Sequence, residues 1–147
     1  MKTKIEIKSI CGSILFEYEK ENNSIKETLI EAIKGGADLG GAYLCGAYLR
    51  GADLGGADLR GAYLRGAYLG EWGKLQSSSD ILVVGSIGSR NGYTTIFHTD
   101  EGVFVMCGCF KGTLDEFEAK VKEKHKGNKH ERDYLALIQF AKVKFEL

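Results

Sequence analysis

The chain has no proline, no net charge and no apolar run of about 18 residues, the minimum for a membrane-spanning helix. The balance of 20 basic and 20 acidic residues removes any global reason to bind nucleic acid or an anionic membrane. Met1–Lys8 alternates charged and apolar residues and lacks the apolar core of a signal peptide, so a cytoplasmic protein is expected. In that compartment four cysteines read as free thiols rather than a disulfide framework. With 27% charged and 44% hydrophobic residues in 147, the chain otherwise has the composition of one compact domain or two small ones.

Glycine is the exception. There are 20, and without proline beside them they do not read as a linker composition. Eleven fall between Gly35 and Gly70, where the chain reads in fives from Ala37: ADLGG, AYLCG, AYLRG, ADLGG, ADLRG, AYLRG, AYLG. Period five fits neither a helix nor a plain strand. Ala and Leu lie two apart, so within each unit they point one way and the Asp or Tyr between them points the other. The two residues that follow, mostly containing glycine, must turn the chain by roughly 90° before the pattern restarts, a turn that glycine makes at little steric cost. Four such corners close a square coil. Accordingly, residues 36–50 match 56–70 at 12 of 15 positions, which stacks Asp38 beside Asp58, Tyr43 beside Tyr63 and Tyr48 beside Tyr68. The missing proline fits as well, because each coil needs its backbone donors for the next.

These seven A-(D/Y)-L-x-x units resemble the pentapeptide-repeat family. The resemblance implies a short right-handed quadrilateral β-helix with four units per coil, here about 1.75 coils. So short a solenoid needs its ends covered, and the flanks are expected to do this. Lys2–Ser9 and Ser13–Glu19 around Cys11-Gly12 read as a β-hairpin. Ser24–Glu27 reads as a capping box opening a helix with Ile25, Leu29, Ile30 and Ile33 on one side, a lid over the first coil. After the repeat, Ile81–Gly85, Tyr93–Thr99 and Val103–Phe110 read as strands, with a hairpin turn at Thr99–Gly102. Thr113–Glu116 and Asn128–Glu131 open two helices, the second with Tyr134, Leu137, Ile138, Ala141 and Phe145 on one face. The expected fold is thus a β-solenoid plus α+β. Residues 1–34 form the hairpin and capping helix, 35–70 the repeat, 71–80 a linker, and 81–147 a βββαα module. That module, through the string GCFKGTLDEFE at 108–118 with Lys124, His125 and Asn128, resembles one carried by phage and prophage proteins, several with a pentapeptide repeat in front. This places the expected cytoplasm in a host cell.

No residue pattern commits to catalysis or to a cofactor. Cys107-x-Cys109 on one strand face could present two thiols, but zinc needs four ligands at about 2.0–2.3 Å. Pairing across the Thr99–Gly102 turn puts His98 opposite Val103, more than about 10 Å from Cys107. Buried free cysteines are the better reading. Cys109 with His125 as nucleophile and base has no oxyanion-hole motif beside it. His125, Asn128 and His130 surround a helix junction and read as cap and turn residues. Gly85–Gly92 is a Gly/Ser loop whose Arg90 could grip an anion, although a hairpin connection explains it without a ligand.

Three function classes remain. The first is a non-enzymatic binding protein of phage type, engaging or inhibiting a host or defence component through the rigid repeat. The second is a sponge for a nucleotide-like small molecule, with Tyr43, Tyr63, Tyr48 and Tyr68 stacking a base and Arg50, Arg60, Arg65 or Arg90 holding phosphate. An enzyme built on Cys109 and His125 comes last. The repeat family also includes DNA mimics, but three Asp against three Arg over about 10 Å of coil do not imitate a duplex carrying one charge per ~1.7 Å. The resemblance further implies homodimers joined end to end.

Overall fold

The computed structural model describes residues 1–77, 80–88 and 91–147. Strands Lys2–Lys8 (β1) and Ile14–Glu21 (β2) pair antiparallel, Ile7 opposite Phe16. Helix α1, Ile25–Lys34, follows. Ser24 caps it by accepting the Glu27 N–H at 3.1 Å, while the Glu27 carboxylate is taken by Lys20 Nζ at 2.8 Å. The expected box is therefore half made, because a cation on the hairpin outcompetes the backbone for that carboxylate.

From residue 37 to 69 the chain advances in five-residue steps. The alanines and leucines from Leu39 to Leu69 are at most 8% exposed. Between steps, each alanine N–H returns to the leucine carbonyl three residues back, from Ala42 to Leu39 (3.0 Å) through Ala67 to Leu64 (2.9 Å). The glycine before each of these alanines, from Gly41 to Gly66, has φ between 71° and 79°. Such a positive φ at the third turn residue is the requirement of a type II turn and the reason glycine recurs every five residues. The aspartates reinforce these turns. The carboxylates of Asp38, Asp53 and Asp58 accept the N–H two residues ahead at 2.9, 3.0 and 3.2 Å.

Successive passes of the chain stack about twenty residues apart. Leu44 N–H bonds Tyr63 O at 2.7 Å and Tyr63 N–H bonds Ala42 O at 2.8 Å. Leu49 and Tyr68 N–H groups repeat this with Tyr68 O and Ala47 O, and parallel bridges join Tyr43 to Tyr63 and Tyr48 to Tyr68. The region is β-helix-like, and its leucines form one continuous core.

Both flanks enter that core. On one side Ile7, Leu29 and Ala32 join the leucine cluster, and Tyr43 N–H bonds Lys8 O at 2.7 Å. On the other side are Leu75, Phe97 and Met106, with Ile81 and Val83 against them. Gly66 N–H bonds Leu75 O at 2.7 Å, and Leu75 bridges Thr99, so the segment expected as a linker is tied to the repeat and to the sheet beyond. Trp72 stacks on Phe104 with centroids 4.9 Å apart.

That sheet holds Ile81–Ile87 (β3), Gly92–Thr99 (β4), Gly102–Cys107 (β5) and Phe110–Thr113 (β6), antiparallel in chain order. Phe97 on one face meets the repeat. Its neighbour Ile96 and the opposing Val105 meet helices Leu114–Lys124 (α2) and Lys129–Lys144 (α3) on the other. Thr113 and Glu116 make a complete capping box on α2, and Asn128 caps α3. The single strand expected over Val103–Phe110 is two strands, making four where three were expected. Gly108, at φ 58°, lets the chain reverse so that Cys107 lies opposite Phe110.

Candidate functional site

Two surfaces gather the chemistry. The first is the tyrosine face of the repeat. Tyr48 lies over Tyr68 with ring centroids 5.2 Å apart and planes tilted by 31°. The stacking partners differ in burial, with Tyr43 and Tyr48 at 53% and 57% exposed and Tyr63 and Tyr68 half-buried. Ser9, just past β1, bridges Ala42 beside Tyr43; the hairpin turn that follows carries exposed Ile10, and exposed Ile14 opens β2. The face therefore combines aromatic rings with an aliphatic edge on a rigid backbone.

The arginines expected to serve this face are differently occupied. Arg60 chelates Asp58 through Nε (2.9 Å) and Nη2 (3.0 Å), and Nη2 also donates to the Tyr93 hydroxyl at 3.2 Å. Its guanidinium lies over the Tyr93 ring, 5.3 Å from the centroid. The hydrogen bond from Arg60 holds the Asp58 carboxyl below its ordinary range, which offsets the like-charge stack with Asp38 anticipated from the register. Asp53 meets Lys111 Nζ at 3.3 Å. Two of the three acidic groups in the repeat are thus neutralised across the seam with the sheet or by a neighbour. The stem of Arg50 lies against Gly70, and both Arg50 and Arg65 are exposed. Arg90 lies outside the described residues.

The second surface is a cavity of about 480 Å³ between β4–β6, α2 and the edge of the repeat at Gly56. The β5–β6 turn seats it, since Gly108 O approaches so near Gly55 that any Cβ there would clash at 2.8 Å. One wall is aromatic. Phe110 and Phe117 lie 5.2 Å apart, Phe117 meets Tyr134 edge-on at 5.5 Å, and His125 lies 5.7 Å from Tyr134. Helix α2 contributes Phe117, Lys120, Val121 and Lys124, a spacing of i, i+3, i+4 and i+7 that puts all four on one face. Thr94 Oγ1 donates to Cys107 Sγ at 3.1 Å, and that thiol donates to the Tyr134 hydroxyl at 3.7 Å. Burial, with His130 and Lys124 nearby, pushes His125 below its ordinary pKa, toward the neutral form.

Cys109 and His125, weighed above as nucleophile and base, both line this cavity. His125 is the C-cap of α2 and Asn128 the N-cap of α3, as their places at the junction suggest. Cys109 is exposed in the reversing turn rather than buried on a strand, so it does not share a strand face with the half-buried Cys107. Among the described residues, no three His, Cys, Asp or Glu side chains are placed to hold a metal ion. No helix among them is long and apolar enough to cross a membrane.

Reading the sequence by motif missed the cavity. The spacing of Lys120 and Lys124 beside Phe117 and Val121 was the available signal. What hid it is the turn at Gly108, which brings Phe110 back over α2.

Residues 35–69 match the family described as pentapeptide repeats, in eight copies where the reading in fives from Ala37 counts seven. Neither a curated protein nor a solved structure matches the chain.

Proposed function

We propose, on the premise that residues 35–69 are pentapeptide repeats, that this is a non-enzymatic protein that binds a protein partner through the tyrosine face. The repeat is read as the short right-handed coil described above, about 1.75 turns long. One observation carries the proposal: Tyr43 and Tyr48 stand more than half exposed on adjoining steps, and exposed Ile10 and Ile14 follow the Ser9 that bridges Ala42 beside them. Large rings held on a stiff scaffold lose little side-chain entropy when a partner covers them, and exposed apolar patches of this kind mark interaction sites. The neutralised aspartates argue against DNA mimicry, which needs uncompensated negative charge along the coil. The likeness of the tail to phage-borne modules suggests a partner among host or defence proteins.

Retention from host lysate by the wild-type chain and by Tyr43→Ser/Tyr48→Ser tests this. A specific host protein held by the first and lost by the second, at unchanged melting temperature, is the expected result. Recovery of nothing but the chain itself, or equal recovery by both, would overturn it.

A nucleotide-type sponge is the second reading, favoured by the Tyr48–Tyr68 ring pair and the exposed Arg65. The commitment of Arg60 to Asp58 and Tyr93 weakens it, because displacing those partners would cost a ligand part of its binding energy. A melting temperature that stays flat across a nucleotide panel, cyclic species included, would retire this reading. If the chain pairs with itself, the surface to examine is α3, where Phe140 and Val143, with Leu147 just beyond, are exposed in line; both coil ends are covered.

A further inference from the structure

The cavity behind the repeat has the attributes of a binding site, and it is separate from the tyrosine face. Its volume, about 480 Å³, lies in the range of pockets that hold small organic molecules. Its walls are mostly carbon: Phe110, Phe117 and Val121 from β6 and α2, with Tyr93 and Tyr134 presenting rings. Among the described residues its charged lining is of one sign: Lys120 and Lys124 both reach it from α2, and no carboxylate lines it. Lys120 meets Glu123, on its own helix, at 3.9 Å, with both groups exposed. So loose a pair holds neither charge firmly.

We propose that this cavity binds an amphipathic organic anion: a flat apolar or aromatic body against Phe110, Phe117 and Tyr134, with a carboxylate or phosphate at its end facing Lys120 and Lys124. The body would replace water on an aromatic wall, and the anion would meet two ammonium groups at the edge, where they keep most of their hydration until the ligand arrives. The Cys107 thiol donates to the Tyr134 hydroxyl at 3.7 Å, and the two lysines supply the charge that orients the ligand. A bound molecule would touch Gly56 of the repeat and α2 together, and so clamp the seam between them.

Titration of the full chain with 1-anilinonaphthalene-8-sulfonate, an aromatic anion whose fluorescence rises on leaving water, tests this. One saturable site of unit stoichiometry is expected. Each of Lys120→Gln and Lys124→Gln should weaken it roughly tenfold, the scale of one charge-assisted hydrogen bond. Cys109→Trp, at an exposed lining position, should block it, and Tyr43→Ser/Tyr48→Ser should leave it unchanged. Melting temperatures of all variants establish that each is folded. No saturable site, or a site indifferent to both lysine substitutions, would overturn the proposal, and so would loss in the tyrosine variant. Because the tyrosine variant separates the two surfaces, failure here leaves the protein-partner reading standing, and the reverse holds.

Discussion

In the repeat, the side chains buried from Leu39 to Leu69 are only alanine and leucine, whereas the sheet and helices behind it bury phenylalanine, tyrosine, isoleucine, valine, methionine, threonine and histidine. The two regions pay for burial differently. The repeat fills its interior by stacking one small motif on itself, and its tyrosines lie outside that core. The module must fit side chains of many shapes around one sheet, and where α2, β6 and the repeat fail to meet it leaves a concave site. Uniform packing yields a platform and heterogeneous packing a pocket.

The largest test of that contrast is Leu54→Ala, which opens a hole in the uniform core. Leu54 is fully buried, so a loss of about 3 kcal/mol is expected in chemical denaturation. Because Leu75, Phe97 and Met106 share that core, the loss should shift one cooperative transition. Two separate transitions would break the picture of a repeat and a module packed as one body.

Glycine sharpens the comparison at a smaller scale. Gly61 turns a corner of the repeat at φ 74°, so Gly61→Ala should cost about 1–2 kcal/mol, the penalty of left-handed backbone for an L-residue. Gly92 begins β4 with open space around its Cβ direction and without a positive φ, so Gly92→Ala should change stability by less than about 0.5 kcal/mol. Equal effects at the two sites would show that the five-residue corners are not the constraint they are taken to be.

The smallest effect concerns acid. The folded pKa of His125 lies below its unfolded value of 6.5, chiefly through burial, so the unfolded chain binds its proton first. The associated stability is complete above the unfolded pKa and declines as pH falls toward the folded value. His125→Asn should flatten the fall in melting temperature between about pH 7 and pH 5. An unchanged slope would move the source of that pH dependence elsewhere.

The difference in packing also explains what could be read from sequence. In the repeat each position has one role, so the stacking of Tyr43 on Tyr63 and Tyr48 on Tyr68 followed from counting in twenties. The buried face of α3 followed from a helical period alone. The strand break at Gly108 did not, because Cys107 through Phe110 carry no alternation that distinguishes a turn from a continuing strand, and only a partner strand decides it. The engagement of Arg60 was hidden for a related reason. Its partner Tyr93 lies 33 residues away on β4, and no local rule connects them.

The twenty-residue register works like the pitch of a screw. On the proposed coil of four units, inserting one five-residue unit would carry the sheet and helices a quarter of the way round relative to the hairpin end, turning the cavity away from its present bearing on the tyrosines. Inserting four units would keep the bearing and lengthen the body by about 4.8 Å. Gain and loss of units would therefore let a lineage re-aim one surface against the other without redesigning either.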